Sequence, residues 1–127
     1  MAGFVKAAFA KALADNALPP FGQGKCARFV RIALEAGGLN SAGHPVSAKD
    51  WGPTLTRLQF QPMPQAAYQP QLADVVVIQA TSTSPHGHIQ GYDGTQWISD
   101  FKQREFWPGP SFRTETPAFV AYRRNVA

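Results

Sequence analysis

The spacing of apolar residues changes halfway along the chain, and this change constrains the fold more than any other feature. In the first half, apolar side chains recur at the three- and four-residue intervals of a helix. From Asp74 onward, β-branched and aromatic residues come in short runs separated by turn residues, the pattern typical of strands. The chain is therefore predicted to be α+β, with N-terminal helices packed on a C-terminal antiparallel sheet in a single domain, residues 1–127.

Three helices and an extended connector are predicted in the first half. Residues 3–16 and 25–36 each carry apolar side chains on one helical face, and Gly37-Gly38 closes the second helix. Residues 48–59 are predicted as a shorter third helix, which Pro53 interrupts. The proline-rich residues 61–71 are predicted to be extended.

Four strands are predicted in the second half, at residues 74–78, 88–92, 96–101 and 118–123. Asp93-Gly94 is a strong hairpin signal between the second and third of them. Residues 108–110, Pro-Gly-Pro, are predicted to be another turn.

Charge and cysteine content limit the classes of function. The formal net charge of +4 favours an anionic partner, such as a cell wall, nucleic acid or lipid headgroups. A single cysteine excludes an intramolecular disulfide and makes a structural zinc site improbable. Lys6, Lys11 and Asp15 interrupt the N-terminal apolar residues, so we expect synthesis in the cytoplasm without a signal peptide, and no membrane insertion.

Cys26, the lone thiol, follows the glycine-bracketed turn Gly22-Gln23-Gly24 at the start of the second predicted helix. Unpaired N–H groups and the helix dipole favour a thiolate at that position. A cysteine heading an apolar helical face is also a common core residue, and the open glycine turn is what favours a nucleophile. The turn is a weak phosphate-loop signal, because no strand precedes it.

His88, which opens a predicted strand, is the candidate base, and His86 alternates with it so that only one of the two can face the site. We expect no metal, since this histidine pair lacks a well-spaced third ligand. Asp100 on the next strand is the predicted third residue that orients the imidazole, and Asp93 in the turn is its rival. Either histidine can instead be a surface or core residue, and Asp100 can instead cap a loop.

Aromatic and basic residues are frequent after the hairpin turn. They could form a stacking surface for nucleic acid or sugar, although we expect most of them to be sheet core and groove walls. Trp97 is the one predicted to contact substrate. The set comprises Trp97, Phe101, Lys102, Arg104, Phe106, Trp107, Phe112 and Arg113.

The order of these motifs resembles the papain-like cysteine amidases of bacterial cell walls, the CHAP and NlpC families. In those families P-x-x-G-D-V leads into the first core strand and G-H-[VI] carries the base. Here Ala73 stands in place of the usual glycine of the first motif. The resemblance spans roughly residues 20–123 and rests on the glycine turn before Cys26, Pro70–Val76, Gly87-His88-Ile89, Tyr92-Asp93-Gly94 and Trp97–Phe101.

The resemblance implies a peptidoglycan amidase or endopeptidase that hydrolyses an amide bond of the stem peptide or its cross-link. Cys26 matches the nucleophile and His88 the base, Asp100 lies where these families place a third polar residue, and Gln23 is a candidate for holding the oxyanion. The implied chemistry needs neither a metal nor an organic cofactor.

The short chain is also similar to amidase effectors that bacteria inject into rivals through the type VI secretion system, and to small phage lysins. We expect a monomer that binds peptidoglycan stem peptides but no nucleic acid, and that acts in the periplasm or cell wall after delivery by a non-classical route such as type VI secretion. If the chain is such an effector, a cognate immunity protein is also expected. The alternatives are a cysteine protease or acyltransferase on the same fold, and a non-catalytic basic wall-binding module in which Cys26 is a core residue.

Overall fold

The computed structural model describes residues 3–18 and 24–126. Its elements in chain order are α1 (Lys6–Asn16), α2 (Cys26–Ala36), a 3-10 turn (Ala48–Asp50), α3 (Gly52–Arg57), β1 (Gln61–Met63), β2 (Val75–Ile78), β3 (His88–Tyr92), β4 (Trp97–Ile98), α4 (Pro110–Glu115) and β5 (Phe119–Arg123). The described strands form one sheet in the order β1-β5-β2-β3-β4, and every neighbouring pair is antiparallel. The predicted α+β arrangement is confirmed.

The structure differs from the sequence predictions at proline-containing segments. The third predicted helix is divided into the 3-10 turn and α3. Pro53 has no N–H to donate to a helical hydrogen bond, so it lies in the first turn of α3, where the N–H groups have no partner within the helix. The predicted connector contains β1, which pairs with β5. The predicted turn at residues 108–110 leads into α4, since Pro110 occupies a first-turn position of that helix.

The sheet is covered on both faces, which explains the uninterrupted apolar run of β2. Val75 and Val77 face the cluster formed with α1 and α2, whereas Val76 and Ile78 face the opposite cluster with Phe112 of α4. Within the described ranges, no helix is long and apolar enough to cross a bilayer, since α1 and α2, at 11 residues each, are far too short.

A buried ion pair holds the start of β2 against β5. Asp74 is 0% exposed and accepts two hydrogen bonds of 2.8 Å from the Arg123 guanidinium. The Tyr68 hydroxyl donates a third hydrogen bond to this carboxylate at 2.6 Å. Ala73 has φ +71°, in the left-handed region, which accounts for the glycine that the resembling families carry at this position.

We expect Gly91→Ala to lower the free energy of unfolding by about 1–3 kcal/mol. A Cβ at Gly91 would lie 2.7 Å from Cζ of Phe9 and 2.8 Å from Cδ1 of Leu13, and both side chains are buried with no room to retreat. Urea unfolding at neutral pH measures the change.

Gly109→Ala is the matched control, because Gly109 has an extended backbone and a Cβ there would meet no heavy atom within 4 Å. Its effect should stay within about 0.5 kcal/mol. Equal stabilities for the two variants would contradict the close approach of α1 to β3.

Candidate active site

Cys26 and His88 line the same cavity, at the place where α2 packs on β3. Cys26 is the first residue of α2 and His88 the first residue of β3. The half-buried Cys26 sulfur lies against the backbone N–H of Ile89, the residue that follows His88. The packing of α2 on the sheet therefore places on one cavity two residues that lie 62 positions apart in the sequence.

Both side chains line one open cavity of about 780 Å³, a volume typical of ligand-binding sites. Its walls come from the start of α2, from residues 83–88, and from residues 108–112 around the start of α4. Asp100 and Phe101, which follow β4, contribute to the same lining.

Gly87 explains how β3 begins at this position. It has φ +69°, a conformation that glycine adopts without strain. A Cβ there would lie 2.4 Å from the Ile78 carbonyl oxygen and 2.7 Å from Cβ of Lys49. Glycine is thus required both for the backbone turn and for the close approach that sets His88 at the first position of the strand.

The hydrogen bonds around Gln103 fix the tautomer of His88. The Gln103 amide nitrogen lies 3.1 Å and 3.2 Å from the carbonyl oxygens of Glu105 and Phe106, and 2.9 Å from Oε1 of Gln90. Since carbonyl oxygens only accept, the Gln103 amide oxygen must be the atom that faces His88 Nε2, at 2.9 Å. His88 therefore carries its proton on Nε2, and Nδ1 holds the lone pair of a base.

Burial keeps both members of the pair neutral. Burial lowers the pKa of His88 to about 4, although the hydrogen bond to the Gln103 amide oxygen, the charge of Asp100 and the hydrogen bond with Gln90 each raise it. Burial likewise raises the pKa of Cys26, and the charge of Asp100 raises it further. The N–H groups of Ile89, Ala27 and Cys26 oppose this rise without overcoming it. The thiolate expected at a helix start is therefore not the favoured resting state.

Asp100 lies close to the pair but does not make the hydrogen bond that was predicted for it. Its Oδ2 accepts the backbone N–H of Lys25 at 3.0 Å, just before α2. The group on the His88 imidazole is the Gln103 amide. The negative charge of Asp100 nevertheless raises the pKa of both Cys26 and His88, so the carboxylate lies close enough to interact electrostatically with the two side chains.

Gln103 is the site residue that the sequence prediction missed. The chain reverses after β4, and the Gln103 N–H donates to the Trp97 carbonyl at 2.9 Å, which turns the Gln103 side chain towards β3. No periodicity or motif marks this amide. The one signal in the sequence was the chemistry of glutamine, because an amide oxygen, like a carboxylate oxygen, can accept a hydrogen bond from an imidazole and so orient the ring.

The other predicted residues lie elsewhere. Asp93 caps the hairpin turn by accepting the N–H groups of Thr95 and Gln96. His86 lines the cavity, but its exposed ring hydrogen-bonds Ser47 Oγ at 2.6 Å. Trp97 is 6% exposed and packs in the core cluster with Phe106 and Phe112, so its ring is a core element. Gln23 lies outside the described residues.

A metal-binding cluster is not found in the described ranges, where no three His, Cys, Asp or Glu side chains come together. The groups that the cavity does present are a thiol, an imidazole and backbone N–H groups. This is the chemistry of nucleophilic attack on a carbonyl.

Two solved structures are similar to this chain over almost its whole length. One is the type VI native effector–immunity complex Tae3–Tai3 from Ralstonia pickettii, with 40% sequence identity, a TM-score of 0.87, and coverage of 96% of this chain and 100% of that chain. The other is the selenomethionine form of the Tae3–Tai3 complex, with 43% identity, a TM-score of 0.84, and coverage of 91% and 99%. No protein-family model and no curated protein matches.

Identity at this level across the full length defines the class, which is that of type VI secretion effectors. Within that class, the chain belongs to the Tae3 family.

The free energy of unfolding should fall in acid because of His88. In the unfolded chain this residue takes a proton near its ordinary pKa of 6.5, whereas in the folded protein it does so only near 4. Between these values the unfolded state binds more protons, so the stabilisation is complete above about pH 6.5 and is lost as the pH falls to 4. Urea unfolding across this range should show a loss of about 2–3 kcal/mol.

His88→Asn should remove this part of the pH dependence, because it removes the titrating ring. His86→Asn, which deletes an exposed imidazole two residues away, is the matched control and should keep the wild-type dependence. Identical pH profiles for the wild type and His88→Asn would contradict a neutral, buried His88.

Proposed function

We propose that this protein is a cysteine hydrolase that cuts an amide bond in the stem peptide or cross-link of peptidoglycan. The observation that carries the proposal is one cavity lined by Cys26 and by a His88 whose Nε2 is bound to Gln103. A thiol and a neutral imidazole in one cavity, with a third group bound to one ring nitrogen, form an arrangement that suits nucleophilic catalysis.

In the first half of the reaction, the Cys26 sulfur attacks the carbonyl carbon of the amide while His88 Nδ1 takes the thiol proton. The new C–S bond leaves a negative oxygen, which the backbone N–H at the start of α2 is oriented to bind. The C–N bond then breaks, and His88 returns its proton to the leaving amine. The product of this half is a thioester on Cys26.

In the second half, His88 Nδ1 takes a proton from water as the water oxygen attacks the thioester carbonyl. The C–S bond breaks, the proton passes to the sulfur, and a carboxylic acid leaves the site. The carboxylate of Asp100 stabilises the imidazolium that forms in each half, because its charge favours the protonated ring. It also holds the start of α2 through Lys25.

The biological setting follows from the Tae3 relatives, which are effectors crystallised with the immunity protein Tai3. By analogy, we propose that type VI secretion delivers this protein to the periplasm of a rival cell, where it degrades the wall. A cognate immunity protein would protect the producing cell. The full-length similarity to effectors favours this role over that of a phage lysin.

Cys26→Ala should reduce the digestion of purified sacculi by about 10³-fold or more, because it removes the atom that forms the thioester. Analysis of the released muropeptides by mass spectrometry measures the loss and identifies the bond that is cut. Thermal unfolding should show that the variant keeps its fold.

Asp93→Asn is the control variant, because Asp93 caps the hairpin turn and does not line the cavity in the part of the chain that the structure describes, and an asparagine oxygen can still cap that turn. It should retain wild-type activity. Digestion of sacculi by Cys26→Ala at the wild-type rate would rule out the mechanism.

Gln103→Leu should lower kcat by about 10²-fold and leave KM within about twofold, because Gln103 positions the base without contacting substrate. Steady-state kinetics on a purified muropeptide separate the two constants. Gln79→Leu, which changes an exposed glutamine, is the control. A change in KM alone would show that Gln103 does not act through His88.

A further inference from the structure

We propose that Arg28 binds a free carboxylate of the substrate beside the amide bond that is cut. This inference rests on the proposed function, because it concerns the same cavity. The expected substrate is a peptide with an anionic group within one or two residues of the reacting carbonyl.

Arg28 lines the cavity two positions after Cys26 on α2 and is exposed. Among the described residues, no carboxylate forms an ion pair with its guanidinium. Arg31, three residues further along α2, is bonded to Glu35 at 3.4 Å. The Arg28 guanidinium in the cavity lining is therefore available to a ligand.

The other charges of the cavity add to a positive surface. Lys25, immediately before Cys26, also lines the cavity and is exposed. Asp100 is the one carboxylate in the described lining, and it is 2% exposed and engaged with the Lys25 N–H. The positive end of the α2 dipole lies at the same wall. An anionic group entering the cavity thus meets two cations and no solvent-facing carboxylate in the described lining.

The chemistry of arginine selects a carboxylate as the ligand. Its planar guanidinium forms two parallel hydrogen bonds with a carboxylate, which fixes orientation as well as charge. Stem peptides of peptidoglycan carry carboxylates that are not used in peptide bonds. Because Arg28 and Cys26 line the same cavity, a carboxylate bound to Arg28 holds the neighbouring amide in the cavity that contains the Cys26 sulfur.

The test measures binding on the inactive Cys26→Ala background, so it does not depend on hydrolysis. The probes are a peptidoglycan stem peptide with free carboxylates and the same peptide with these groups converted to carboxamides. Calorimetry should show that Cys26→Ala binds the carboxylate form about tenfold more tightly. Adding Arg28→Gln should abolish this preference, and Arg28→Lys should restore only part of it. Arg31→Gln, on the same helix, is the matched control and should keep the full preference.

A preference that survives Arg28→Gln would overturn the inference, as would equal binding of the two peptides to Cys26→Ala or measurable binding of neither. None of these results concerns the thioester chemistry, which the digestion of sacculi tests separately. Failure of the wild type to hydrolyse peptidoglycan, with the carboxylate preference intact, would refute the proposed activity alone.

Discussion

The hydrogen bond between His88 Nε2 and the Gln103 amide oxygen is the interaction on which the site depends. Backbone carbonyls of Glu105 and Phe106 hold the Gln103 amide nitrogen, so its oxygen can face only the imidazole. This leaves the lone pair on Nδ1, the nitrogen that a base needs. The backbone carbonyls of Glu105 and Phe106 thereby determine, through Gln103, which nitrogen of His88 is basic.

Burial also shifts the pKa values of Cys26 and His88 in opposite directions. The sheet and α2 bury His88 and partly bury Cys26, so the pKa of the thiol is raised and that of the imidazole is lowered. The charged thiolate–imidazolium pair is therefore disfavoured in the resting protein, and in the mechanism that we propose the proton transfer accompanies attack. The Ile89 N–H beside the sulfur and the carboxylate of Asp100 near the ring supply the polar contacts that stabilise charge when it forms.

The elements and site residues that depend on a local sequence pattern could be predicted from the sequence. The apolar periodicity of α2 and the β-branched run of β2 located both elements to within about two residues, and the lone Cys26 and the Gly87-His88 pair identified two residues of the cavity. Gln103 could not be predicted, because it reaches His88 only after the chain reverses beyond β4. This contact belongs to the tertiary structure and leaves no local pattern in the sequence. The raised pKa of Cys26 could not be predicted for the same reason, since burial depends on contacts distant in sequence.

The protonation pattern of the His88 ring, measured by ¹⁵N nuclear magnetic resonance at neutral pH, tests most directly whether His88 can act as the base. We expect a neutral imidazole with its proton on Nε2 and an unprotonated Nδ1. A proton found on Nδ1, or a doubly protonated ring, would mean that His88 cannot accept the Cys26 proton, and would contradict the proposed mechanism.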